Sequence, residues 1–230
     1  MTPPAEQLGP WLGGWPPARP VLVVPDPRSG SPGWDGGPRA VSGAVDPEGR
    51  CVVRVPPEVA ERLPRPVPDV AALVAALPAA VGVPGTAGTG VLRWAQDVPG
   101  PDRSPDVGVW LPASLAGGDP RVPAWLHPFG GQVLVALDDD GRHLAGVGLK
   151  RHDDALSEVS VVTHERARGR GLARRLVAQA ARTLQGPGPT PRHGVLYLHA
   201  AGNEASARVA RASGFPDTGW QVLGYWTGRP

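Results

Sequence analysis

Cysteine is almost missing from this 230-residue chain, Cys51 being the only one. A disulfide within the chain is therefore excluded, and the supply argues against a cysteine-based zinc site. His127, His143, His193 and His199 have no spacing that suggests a shared metal, so none is expected. No stretch reaches the roughly 18 uninterrupted apolar residues of a membrane-spanning helix, so no span is expected. The opening Met1-Thr-Pro-Pro-Ala-Glu lacks a basic region leading into an apolar one. No signal peptide is expected from it, and the cytoplasm is the expected compartment. An excess of either charge is missing too: 23 Lys and Arg against 21 Asp and Glu leave a net +2, too mild to imply nucleic acid on its own.

What is abundant is glycine, at 32 residues, and proline, at 30, which points to long loops and a poorly structured N-terminus. The length fits one large domain or two small ones with a real core. Residues 1–37 read as loop apart from a short strand at Val21 to Val24, with Trp11 and Trp15 expected to pack on something. Strands are expected at Arg39 to Val45, Cys51 to Val55 and Val91 to Trp94, and helices from Pro56 to Leu63 and over Val70 to Ala80. Gly82 to Gly90 reads as a loop. Nothing in the first hundred residues has a spacing that converts to chemistry, and a scaffold subdomain is expected there.

The second half is better patterned. Val107 to Trp110 is an expected strand, and a short helical region ends at Phe129. Gln132 to Leu137, the Asp138-Asp-Asp-Gly141 turn, Leu144 to Lys150 and Leu156 to Thr163 form an expected three-strand antiparallel meander. Leu172, Leu176, Ala180 and Leu184 then recur at helical spacing. Val195 to His199 is a strand entered after a helix, hence parallel to Leu156–Thr163. Asn203 stands where an N-cap belongs, a helix runs from Glu204 to Ser213, and Gly214 closes it. Gln221 to Trp226 is a last strand.

The strand, glycine turn and helix between Val159 and Val177 organise the rest. A helix start leaves backbone N–H donors unused and its dipole favours an anion. Gly169 and Gly171 permit close approach, and Arg166, Arg168, Arg170, Arg174 and Arg175 surround the turn. A nucleotide P-loop is excluded because no lysine followed by serine or threonine comes after the glycines. The dinucleotide fingerprint fails because position 174 is arginine and no acidic residue follows at the required distance. Arg166-Ala-Arg168-Gly169-Arg170-Gly171, directly after a strand, resembles the acyl-CoA pyrophosphate loop of the GNAT superfamily of N-acetyltransferases. A second block agrees: Asn203, a short helix containing Ser206, then Gly214-Phe215.

The resemblance covers about Gly131 to Trp226. It implies an α/β (α+β) GNAT fold: a mixed, mostly antiparallel sheet with flanking helices and a splay between the fourth and fifth family strands. Residues 101–230 would be the acetyltransferase domain and 1–100 a Pro/Gly-rich region with room for a degenerate GNAT-like half. The backbone of Val161, Val162 and Thr163 would meet the acyl group and pantetheine of acetyl-CoA. N–H groups from Arg168 through Gly169, Arg170, Gly171, Leu172 and Ala173 would hold the pyrophosphate, with Arg174 beside it. Asn203 and Ser206 would flank the pantetheine. Amine attack on a thioester needs alignment, charge stabilisation and a base. Glu158 is the first candidate base, with His152, Asp153 and Asp154 as alternatives. The family's thiol-protonating tyrosine is replaced by Ala210, leaving Tyr197 or Tyr225 for that role, or no dedicated acid. The implied acceptor is a small-molecule or peptide amine, and the implied state a monomer or homodimer. The missing tyrosine keeps open a non-catalytic acyl-CoA-binding protein.

Overall fold

The computed structural model describes residues 5–31, 40–112, 119–129, 131–152, 156–186 and 194–227. In chain order its elements are α1 (Ala5–Leu12), β1 (Val21–Pro25), β2 (Ser42–Val45), β3 (Cys51–Val55), α2 (Pro57–Arg62), α3 (Val70–Val81) and β4 (Thr86–Trp94). There follow β5 (Val109–Leu111), β6 (Val133–Leu137), β7 (His143–Arg151), β8 (Leu156–Thr163), α4 (Leu172–Gln185), β9 (Gly194–His199), α5 (Glu204–Ala212) and β10 (Gln221–Trp226). The chain divides into two compact units, 1–92 with 217–230, and 93–216. Among the described residues no helix is long and apolar enough to cross a membrane.

The first unit is a sheet in the order β1-β3-β2-β10-β4, with β1 and β3 parallel and the other neighbours antiparallel. Its core gathers Val53, Val55, Leu63, Leu73, Leu77 and Leu223. Asp69 caps α3 by accepting from the Ala72 N–H at 2.8 Å, and Gly82 ends it in the left-handed region. Two expectations fail here. The N-terminal stretch is not all loop, since α1 forms despite Gly9 and Pro10 and buries Leu8, Trp11 and Leu12. β4 also begins at Thr86, inside the expected loop, because Thr86-Ala-Gly-Thr-Gly90 pairs with β10 from Trp226 back to Val222. Partner strands override the weak strand propensity of glycine.

The second unit is an open mixed sheet in the order β9-β8-β7-β6-β5, antiparallel throughout except for the parallel β8–β9 pair. Alternation splits its residues between two faces. Ala145, Val147, Val159, Val195 and Tyr197 face a core with Leu172, Leu176, Val177 and Ala180 of α4 and with Ala210 and Phe215. Each leucine so buried contributes about 1.5–3 kcal/mol. On the other face a 3₁₀ turn, Ala124–Phe129, lies against β7. The expected boundary at residue 100 falls inside this unit, and β10, expected to close the second domain, is a strand of the first.

Candidate active site

The parallel ladder between β8 and β9 runs from Leu156 opposite Gly194 to Val159 opposite Tyr197, and stops. β8 continues to Thr163, still paired with β7 as far as Ala145. Ser160 to Thr163 are half-buried and have a strand on one side only. Their other edge offers backbone N–H and C=O groups to whatever enters the gap.

At the end of β8 the chain makes a 3₁₀ turn, Glu165–Ala167, then passes Gly169 (φ +77°) and Gly171 (φ +72°) into α4. Both glycines are left-handed, where a side chain would be strained. The first helical bond of α4 runs from the Arg175 N–H to the Gly171 carbonyl at 3.4 Å. No side chain caps this helix and its first turn holds no acid. Among the described residues no acceptor meets the N–H groups of Gly169, Arg170 or Gly171. Leu172, Ala173 and Arg174 add the first-turn donors that any helix leaves over. Arg174 folds back toward Gly171, since a Cβ there would stand 3.0 Å from its Nε. Arg168 departs from expectation: its N–H donates to the Glu165 carbonyl at 3.1 Å and closes the 3₁₀ turn. Arg166 is held by Asp138 at 2.7 Å. The remaining donors, two cradle glycines and nearby arginines fit a diphosphate.

Across the gap, Asn203 caps α5, its Oδ1 accepting from the Ser206 N–H at 3.0 Å. That leaves its Nδ2 as a donor. The Ser206 hydroxyl lies 2.9 Å from that of Tyr197, the last β9 residue paired with β8. Tyr197 is 2% exposed, with its ring 5.7 Å from Phe215. Burial pushes its phenol up, outweighing the opposing effects of the Ser206 hydrogen bond and the Arg93 charge, so its proton is held firmly. Ala210 is fully buried beside it. Tyr225 is elsewhere, in the first unit's core, donating to the Val83 carbonyl at 2.6 Å.

Glu158 lies on the face away from α4, opposite Lys150 of β7. Its carboxylate accepts from Lys150 Nζ at 2.7 Å and lies 3.3 Å from His152 Nε2. Burial pushes this carboxyl up, but the His152 hydrogen bond and the Lys150 and His152 charges outweigh it and hold it below its ordinary range. A carboxylate so held takes up a proton reluctantly, which is the wrong direction for a base working near neutrality. His152 belongs to the same cluster, while Asp153 and Asp154 lie outside the described residues. Lys150 was missed by sequence reasoning, although hairpin symmetry about residue 154 would have set it opposite Glu158. Also missed were Trp125, whose Nε1–H donates to Ser160 Oγ at 3.2 Å, and Arg93, whose Nε–H donates to His199 Nε2 at 3.0 Å. Among the described residues no group of three or more His, Cys, Asp or Glu could hold a metal.

Residues 106–215 match the model of the acetyltransferase (GNAT) family. Among solved structures the chain is similar to a GNAT-family protein from Novosphingobium aromaticivorans, at 24% identity and TM-score 0.44, over 63% of this chain and 66% of that one. It is also similar to a GCN5-related N-acetyltransferase-like protein from Streptococcus suis, at 18% identity and TM-score 0.48, over 69% and 70%. For an acetyltransferase of the GNAT family from Colwellia psychrerythraea the values are 11% and 0.38, over 64% and 59%. The chain thus spans less than two thirds of the Novosphingobium and Colwellia proteins, 66% and 59% of their lengths. No curated protein matches it.

Proposed function

Residues 106–215 form a domain of the GNAT acetyltransferase family, and from that premise we propose that the chain is an N-acetyltransferase moving an acetyl group from acetyl-CoA to a primary amine. The observation that carries this is the pairing of an opened β8–β9 ladder with unmet N–H groups at Gly169, Arg170 and Gly171. Acetyl-CoA supplies the acyl group as an activated thioester. The N–H groups from Gly169 to Ala173 hold its diphosphate, with Arg170 and Arg174 adding charge. The open edge of Val161 to Thr163 orients the acyl end by backbone hydrogen bonds, and Asn203 Nδ2 with Ser206 flanks the pantetheine.

Glu158 holds Lys150 and His152 in place and leaves deprotonation of the amine to another group or to water. The departing thiolate takes up its proton from solvent, with the Ser206 hydroxyl, 2.9 Å from that of Tyr197, as a hydrogen-bonding group beside it. A second reading, an acyl-CoA-binding protein without turnover, draws on the missing helix tyrosine, Ala210.

Calorimetric titration with acetyl-CoA and CoA tests the binding half, and thiol release over a broad panel of primary amines tests the chemical half. Cys51 adds little background, since burial, aided by the Asp46 charge, pushes its thiol up to about 12. Saturable uptake with amine-dependent thiol release is expected. Uptake without release would favour the second reading, and no uptake by folded protein would end both.

A further inference from the structure

We propose that Trp125 is the specificity wall of the acceptor site, and that the acceptor is a primary amine carrying an aromatic or bulky apolar body and no second positive charge. This deepens the acetyl-transfer reading and rests on it for the location of the thioester.

The 3₁₀ turn that carries Trp125 is seated by missing side chains. A Cβ on Gly148 would stand 2.5 Å from Phe129 Cδ2, and one on Gly146 would stand 2.9 Å from Leu126 Cδ1. Leu126 and Phe129 are buried by that seating, whereas Trp125 is turned out and 61% exposed. It is nevertheless fixed, since its Nε1–H donates to Ser160 Oγ and its ring meets Phe129 edge-on at 6.3 Å. Ser160 is the first β8 residue beyond the last pair with β9. An indole held by its polar edge at that point presents an apolar face beside the opening. Such a face attracts one ammonium and shelters an apolar body.

Charge narrows the choice. At the positions of β7 and β8 that share this face, and along the turn itself, Glu158 is the only acid among the described residues. It is already engaged by Lys150 and His152. Lys150 Nζ also lies 5.4 Å from the centre of the Phe129 ring. Among the described residues of these two strands and the turn, a second cation on the acceptor would find no unclaimed carboxylate and would meet Lys150 instead, so polyamines are disfavoured.

The test titrates 2-phenylethylamine and spermidine into the full chain by calorimetry, with and without saturating CoA, and CoA alone in parallel. 2-Phenylethylamine is expected to bind at least tenfold more tightly than spermidine. Trp125→Ala should weaken it tenfold or more, and Trp125→Phe by much less, with CoA affinity unchanged in both variants. Tighter spermidine binding, no 2-phenylethylamine binding to the parent chain, or indifference to Trp125→Ala would overturn the proposal. If CoA itself failed to bind the parent chain, the acetyl-transfer reading would fall, a result separate from the amine titrations.

Discussion

At the scale of single residues, the buried charges say more about stability than about proton transfer. Glu158 and Lys150 are both largely hidden, with side chains 7% and 15% exposed. Replacing Glu158 by glutamine removes the negative partner of a buried cation, which costs about 3–5 kcal/mol when one member of such a pair is lost. The pH dependence has a definite sign. Cations hold the folded carboxyl below its unfolded value, so the unfolded chain takes up the proton first. The contribution is therefore whole above about pH 4.3, the ordinary glutamate value, and is lost as pH falls through the lower folded one. Denaturant midpoints should show Glu158→Gln far less stable than the parent at pH 7, with the gap narrowing below pH 4.3. A gap that widened in acid would contradict the pairing. The sequence alone marked Glu158 as worth attention because of its strand, but the partners that set its proton affinity come from the neighbouring strand and turn. No local pattern states that affinity, and so the expected base is found paired with Lys150 and beside His152.

At the scale of elements, the strand–turn–helix at Thr163–Ala173 was legible because its needs are local: apolar alternation, two glycines, then four-residue leucine spacing. The same holds for Asn203 as the cap of α5. The 3₁₀ turn bearing Trp125 was legible as a short helical stretch but not as a wall of the site, since its place depends on Gly146 and Gly148 in another strand. The phosphate turn yields a controlled prediction. Gly171→Ala puts a side chain at φ +72°, which costs about 1–2 kcal/mol, and sets a Cβ against Arg174. Gly49→Ala imposes comparable strain, at φ +81°, in a turn of the first unit where a Cβ meets nothing within 4 Å. Both variants should lose similar stability in thermal melts. Only Gly171→Ala should also weaken acetyl-CoA, by tenfold or more in calorimetry, because it alone disturbs the donors. Equal loss of affinity in both would mean that the cradle geometry is irrelevant.

At the scale of the whole molecule, the chain returns to its first unit for its last strand, and this was illegible in sequence. The pattern of β10 shows a strand, but a strand's residues do not name distant partners, and chain order alone attaches it to the domain it follows. In the structure it lies between β2 and β4, with Gln221 opposite both Val45 and Val91. It also brings buried Leu223 and Tyr225 into that unit's core, and Trp220 onto Trp15 at 4.9 Å. Losing one large core side chain costs about 2–5 kcal/mol, so losing three together with two ladders matches or exceeds the roughly 5–15 kcal/mol that holds a whole domain. A chain ending at Pro216 keeps every residue of the 106–215 family match, yet its first unit should not fold. Amide exchange measured by mass spectrometry should find β2 and β4 unprotected in that chain, and protected in one ending at Thr227. The shorter chain should also lose the slow exchange of Leu73 and Leu77 in α3, which pack in the same core. Persistent protection of β2 after removal of β10 would mean that the remaining strands close on their own, and that the last strand is not the element that completes the sheet.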